Sequence, residues 1–367
     1  MKFTTEKDSL IKEITTAHEI ISSRNALSIL SNVLLDAKDN SLTVRATDLK
    51  VSFETSIPVE VSSPGTTTVF CDKFLSILRS LPAGEIEFEE DDQNTLVIRP
   101  LFKKIDFRLK TIGADKYPEI QLTTDSPYFE FSQADFVDMI GQTVFAVSDD
   151  ETRYFMNGVY FETVDGKLTM VATDGRRLSF VSRGTDQPVA DFNGVIVPPK
   201  VLTLVRRLVS GEGPLSVAIT DKHVYFSFDN LRVSSSLIEG QFPNYKRVIP
   251  DGQEYSLTVN REELLEALKR VSLLVEKSRR VYIGLDDGLL TVNSEESEIG
   301  VAKEEVSCNY EGPEMTLALN YVYLMDPLRV ITEEEVAVHF TESNRAISIY
   351  SVPQHDYFHI VMPMNLD

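Results

Sequence analysis

The chain is poor in cysteine. Its two residues, Cys71 and Cys308, lie 237 positions apart in a chain of 367. They make no disulfide framework and no zinc motif, which agrees with a reducing compartment. Glycine and proline together number 33, too few for a collagen-like or flexible linker protein. No run approaches the roughly 18 consecutive apolar residues of a membrane span. The opening MKFTTEKDSL lacks the apolar core of a secretory signal, so a cytoplasmic protein is expected. There is no Walker A loop, GxGxxG, GxSxG or HExxH. Of five histidines, His355 and His359 are four apart in HDYFH, before a terminal strand and with no third ligand nearby. That pattern reads as surface, not metal. The acidic pairs Asp91-Asp92, Asp149-Asp150 and Asp286-Asp287 fall in turns and read as solvated carboxylates. No constellation makes a positive case for an enzyme or for a cofactor.

What is present is a foldable composition, 42% hydrophobic and 25% charged, long enough for two or three domains. The formal net charge is −21, from 36 basic and 57 acidic residues. Most of such a surface should repel nucleic acid.

The sequence repeats itself. SLTVRATDLKVSF at 41–53 matches KLTMVATDGRRLSF at 167–180, with the Ala-Thr-Asp triplets offset by 126. LLTVNSEESEIG at 289–300 is a weaker third copy, and Tyr117-Pro118 matches Phe242-Pro243. The period is too long for a solenoid and fits tandem domains. Each repeat opens with an alternating strand running into a helix, followed by strands. A turn (Pro64-Gly65, Asn193-Gly194 or Gly312-Pro313) then introduces a second half of the same order. Six βαβββ units of roughly 60 residues result, an α+β chain. Asn260 with Glu263, and Ser132 with Asp135, have the spacing of helix capping boxes. Polar linkers near 121–127 and 250–254 give domains at 1–121, 128–250 and 254–367.

The charge is unevenly spread. Helices expected at 7–24, 72–81, 132–148, 199–210, 260–280 and 319–331 carry 15 basic and 11 acidic residues. They sum to +4 and leave −25 for the rest. Helices of that kind could face phosphate while an acidic remainder repels it. On the residues alone, two readings stand: a concave helical lining that faces phosphate, and a repeat-built scaffold whose helices are basic only because Lys and Arg favour helices.

Several motifs together resemble a family, the bacterial DNA polymerase III β subunits or sliding clamps, over the whole chain. They are SSRNALSIL at 22–30, RYFMNGVYFE at 153–162, VATDGRRL at 171–178, EGQFPNYKRVIP at 239–250 and HIVMPMNL at 359–366. The resemblance implies the DNA-clamp fold, with helices inside and sheets outside a ring formed by a head-to-tail homodimer. It implies duplex DNA held without sequence preference and no bond chemistry. Its implied partners are the DNA polymerase III catalytic subunit, an ATP-driven clamp loader and other proteins with clamp-binding motifs.

The resemblance also implies site residues. A partner-peptide cleft would use Met156, Thr173, Gly175, Arg176, Arg177 and Leu178 from the second repeat. Pro243, Arg247 and Val248 would come from the connection that follows it. Ile360, Val361, Met362, Pro363, Met364 and Leu366 would come from the C-terminus. Apolar, Met-rich walls suit short motifs from several partners. Arg24 would face DNA, with Lys73, Arg79, Lys200, Arg206 and Arg207 added by helix position. The dimer interface would set Phe107 and Leu109 against Leu273 and Leu274. Lys73, Lys103 and Lys104 would lie opposite Glu295, Glu296, Glu298, Glu304 and Glu305. Asn365 stands where many relatives carry a basic residue, and Asp367 extends the tail. Pro327, inside an expected helix, should kink or split it.

Overall fold

A computed structural model of the chain describes residues 1–21, 29–185 and 188–366. It contains two compact units, residues 1–133 with 207–237, and residues 134–206 with 238–367. Each is built on one antiparallel sheet.

The sheet of the first unit has thirteen strands. From Tyr128–Ser132 at one edge it continues through Pro214–Ile219, His223–Phe228 and Leu231–Ser236. It then passes to Val51–Pro58, Ser41–Thr47, Asn32–Lys38 and Gly65–Phe70, and on through Phe107–Gly113 to Glu60–Ser63 at the far edge. The second unit's sheet has twelve strands. It begins with Val195–Val197, Val159–Val164, Lys167–Thr173 and Arg177–Arg183. It crosses to Tyr357–Val361, Ile347–Val352 and Glu335–Phe340 and ends at Met315–Asn320. Strands of two repeats therefore join in each sheet. The seams are Val51–Pro58 on Leu231–Ser236 and Arg177–Arg183 on Tyr357–Val361.

Among the described residues, six α-helices accompany the strands: α1 (Lys7–Ile20), α2 (Cys71–Ser80), α3 (Gln133–Thr143), α4 (Pro199–Leu208), α5 (Arg261–Val271) and α6 (Tyr321–Val330). α1 packs with α2 on the first sheet, and α5 with α6 on the second. Alternation explains the strands: in Ser41–Thr47 the buried apolar positions are Leu42, Val44 and Ala46, and these face the helices' apolar stripes. The Asn260 carboxamide accepts from the Glu263 N–H at 3.0 Å, so α5 begins where the capping signal places it.

Some expectations need correction. α3 and α5 stop short of 148 and 280. The Thr143 hydroxyl bonds back to the Met139 carbonyl at 2.8 Å and Thr143 leaves helical geometry, so Val144–Ala146 is a separate 3-10 turn. α5 likewise passes into the 3-10 turn Ser272–Leu274. Pro327 does not split α6. The fixed φ of proline suits a helix, the Ile331 N–H still reaches the Pro327 carbonyl at 3.0 Å, and Leu324, Met325 and Leu328 are buried around it. His359 is not a surface residue but fully buried, with its ring packed beside those of Phe145 and Tyr357.

Candidate partner-binding site

The second unit's seam carries the residues expected to form a cleft. At one end is the turn after Lys167–Thr173. The Thr173 hydroxyl donates to the Arg177 carbonyl (2.6 Å) and accepts from the Gly175 N–H (3.0 Å). Asp174 Oδ1 accepts from the N–H groups of Arg176 and Arg177, at 2.9 and 3.1 Å. The turn needs φ +88° at Gly175, and a Cβ there would lie 2.9 Å from the Arg153 guanidinium. Only glycine meets both conditions easily.

Arg177 fixes this turn from below. Its Nε meets Asp174 at 3.1 Å, Nη1 meets Asp326 at 2.7 Å and Nη2 donates to the Phe145 carbonyl at 2.6 Å. Its guanidinium lies 4.5 Å from the Tyr323 ring centroid. With its side chain 11% exposed, Arg177 is a strut and not an open charge. Burial raises the Tyr323 pKa, with Asp174 adding to the shift.

The seam itself is apolar. Leu178 pairs Ile360 and Phe180 pairs Phe358 across the strands. Leu178, Ile360, Val171, Ile196, Phe242 and Tyr245 form one buried cluster. Phe180 stacks on Phe358 at 4.7 Å and Tyr160 on Phe242 at 4.8 Å. Tyr245 donates a 2.5 Å hydrogen bond to Glu162; burial, and then this bond, raises its pKa. Beneath the sheet His359 Nδ1 meets the Ser179 hydroxyl at 3.0 Å. Burial, then the charge of Arg177, pushes its pKa down to about 3.

The expected cleft residues thus divide into two layers. Met156, Thr173, Leu178, Ile360 and Val361 are buried and form a floor. Gly175, Arg176, Arg247, Val248, Met362 and Leu366 are exposed, with Pro243, Pro363 and Met364 half-buried. The exposed Tyr154 was not singled out from the sequence; it sits against Gly240, whose Cβ would lie 3.2 Å from the ring. The C-terminal segment is held. The Met362 N–H bonds to the Arg176 carbonyl and the Met364 N–H to the Ala318 carbonyl, both at 2.8 Å.

Among the described residues, a second set lies at sheet positions left open. Within Phe107–Gly113, residues 111–113 pair on one side with Thr67–Val69, whereas 107–110 pair only with 95–98. Within Lys303–Tyr310, residues 308–310 pair with 257–259, whereas 303–307 pair only with 289–293. Phe107, Leu109 and Leu274 are half-buried, and Leu273 is 81% exposed. Of the expected acidic partners, Glu295 is paired within the chain with Arg280, Glu304 with Arg270 and Glu305 with Lys303.

Among the candidate DNA-facing residues, Arg24 lies outside the described residues. Lys73 pairs with Asp72 at 3.5 Å, Arg79 reaches Thr15 at 3.5 Å and Arg207 pairs with Glu19. The Arg206 guanidinium is the nearest group to a Cβ built at Gly141. Lys200 is on the first turn of α4.

Three family descriptions match consecutive parts of the chain. They are the N-terminal, central and C-terminal domains of the DNA polymerase III beta subunit, over residues 1–121, 130–244 and 246–365. The chain belongs to this family. It is 49% identical to the beta sliding clamp of Treponema pallidum and 32% to that of Escherichia coli, covering all of each chain. A Bacillus subtilis sliding clamp superposes over the full length of both chains with a TM-score of 0.95 at 28% identity. A Pseudomonas aeruginosa clamp bound to griselimycin does so at 0.94 and 31%. The fold is the three-domain sliding-clamp fold, and the function is that of a sliding clamp for DNA polymerase, a non-catalytic processivity factor in DNA replication. Among the described residues, no helix is long and apolar enough to cross a membrane.

Proposed function

We propose that two copies of this chain close head to tail into a ring around duplex DNA. In this reading the domains span 1–121, 128–250 and 254–367. The observation that carries it is where apolar surface remains. Nine of the eleven large exposed hydrophobics among the described residues fall in two groups. Leu101, Phe102, Leu273, Ile299 and Val301 flank the two half-open strand edges; Tyr154, Val248, Met362 and Leu366 surround the cleft. Exposed apolar side chains grouped beside unpaired edges favour association. An edge at Phe107–Lys110 on one copy would meet Lys303–Ser307 on the other, extending sheet to sheet with Phe107 and Leu109 against Leu273 and Leu274.

The cleft then takes short apolar motifs from the polymerase III catalytic subunit, the clamp loader and other replication partners. Lys73, Arg79, Lys200, Arg206, Arg207 and Arg24 supply weak phosphate contacts inside the ring, with no sequence preference. The replication role implies work in the cytoplasm at the nucleoid.

Native mass spectrometry and retention on circular DNA test this together. The expected result is a dimer that stays on a closed circle and leaves when the circle is cut. Replacing Leu273 and Leu274 with Asp should give a folded monomer, because charge would be buried in the interface. A wild-type monomer, or retention on linear DNA equal to that on circles, overturns the ring.

A further inference from the structure

Among the described residues, three hydrogen bonds hold the C-terminal wall of the cleft, residues 362–366. Two are main-chain bonds, from Met362 to Arg176 and from Met364 to Ala318. These are indifferent to side chains. Pro363 has no N–H to add another. The third is made by a side chain. Arg280 Nη1 donates to the Asn365 carbonyl at 3.0 Å, while Nη2 meets Glu295 Oε1 at 2.9 Å.

Arg280 is well placed to be rigid. Its backbone opens the strand Arg280–Asp286 and pairs in register with Asn320, the residue that caps α6. Its side chain is only 15% exposed, and the guanidinium lies 5.5 Å from the Tyr282 ring centroid. Glu295 orients the fork from the other side. A planar guanidinium held by a carboxylate and an aromatic ring loses little further freedom in gripping a carbonyl. Met315–Asn320, on which Met364 bonds, is the edge strand of the sheet. One main-chain bond on an edge strand holds a terminus weakly, and termini fray unless tied down.

We infer that Arg280 is the positioning residue of the cleft's C-terminal wall: it touches no partner itself but sets where Met364 and Leu366 present their side chains. The inference rests on the cleft reading above and deepens it. It also accounts for the asparagine at 365. The hold uses the main-chain carbonyl, so the side chain at that position is free to vary.

The test is a cycle on the full-length protein with a labelled ten-residue peptide copied from the C-terminus of the polymerase catalytic subunit. Arg280→Ala should weaken peptide binding roughly five- to tenfold. Arg280→Lys, which keeps charge but cannot bridge both partners, should recover part of it. In protein lacking residues 364–367, Arg280→Ala should add no further loss. Hydrogen exchange gives a readout free of the peptide: the Met364 amide should exchange faster in Arg280→Ala, with the Leu319 amide unchanged. Equal loss in the full-length and truncated proteins, or unchanged Met364 exchange, overturns the inference. If truncation alone leaves wild-type peptide affinity intact, the cleft reading fails; faster Met364 exchange in that case still supports Arg280 as the tail's hold.

Discussion

The two seams of this protein have the same backbone and different side chains. At the first, Val51 pairs Ser235 and Glu54 pairs Arg232; at the second, Arg177 pairs Val361 and Phe180 pairs Phe358. Every partner is displaced by 126 residues, the offset of the Ala-Thr-Asp triplets. The turns share the same set of hydrogen bonds to the main chain. Asp48 Oδ1 accepts from Lys50 and Val51 as Asp174 does from Arg176 and Arg177, and the Thr47 and Thr173 hydroxyls play the same part. The exits agree too: the Ser236 N–H bonds to Lys50 as the Met362 N–H bonds to Arg176, each at 2.8 Å. Yet where the second seam stacks Phe180 on Phe358, the first has Glu54 between Arg45 (2.7 Å) and Arg232 (3.2 Å), beside a cavity of about 360 Å3. Ser234, Ser235 and Ser236 stand where Ile360, Val361 and Met362 stand. The fold supplies two equivalent grooves, and side chains make only the second apolar. Function here is a property of substitutions on a repeated frame.

That contrast can be broken most forcefully at the stacked pair. Phe358→Ala removes a half-buried ring and its stacking partner's contact, at an expected cost of about 2–3 kcal/mol to the second unit. Glu54→Gln in the equivalent pair, where Glu54 stands in the place of Phe180, should cost about 1 kcal/mol and should make the first unit's stability less sensitive to salt. Denaturant unfolding followed by hydrogen exchange in each seam separates the two. Equal losses would mean the side-chain contrast is energetically idle.

Acid should sharpen it. His359 occupies the place of Val233 in the first seam, and both are buried. The His359 pKa falls from 6.5 to about 3 on folding. The unfolded chain therefore binds the extra proton between those values. The stability His359 contributes is fully present above about pH 6.5 and is lost as pH falls toward 3, by up to about 1.4 kcal/mol per pH unit. The second unit should loosen first on acidification, and His359→Phe should remove that difference. A profile unchanged by His359→Phe would leave the acid sensitivity to the carboxylates.

How far the sequence could reach follows from these residues. The repeat offset was legible, and it makes the two seams equivalent, but which strands meet at a seam was not, because those pairings join segments far apart in the chain. Strand and helix order followed from the same periodicity. Which residues stay at the surface was less legible. Leu178 and Ile360 read as cleft walls but are floor, since the neighbouring strand and the segment bearing Phe242 and Tyr245 cover them. That Arg177 is buried and paired was not legible, because its partner Asp326 is 149 positions away and no local pattern announces it. Tyr154 sits in a 3-10 turn with no period to mark its exposure. Arg280 was not singled out from the sequence, because the carbonyl it holds belongs to a tail 85 positions on.

The smallest effect lies at one position of the matched turns. Gly175 has φ +88°, and its counterpart Leu49 has φ +74°. Leucine is disfavoured there, by roughly 1 kcal/mol, whereas glycine is at ease. Leu49 is also 62% exposed, so little packing offsets the strain. Leu49→Gly should therefore stabilise the first unit, by about 0.5 kcal/mol once the added freedom of the unfolded chain is set against the relief. Gly175→Ala should do the reverse. It meets the same backbone penalty and pushes a Cβ to within 2.9 Å of the Arg153 guanidinium, a flexible end that can move aside. A loss of about 1 kcal/mol is expected, with a local shift of Arg153 at the cleft mouth. Opposite signs from the two substitutions, read by thermal unfolding of each variant, would mean the turns are held by the same backbone demand. A destabilising Leu49→Gly would instead show that the exposed leucine makes a contact that outweighs its strain.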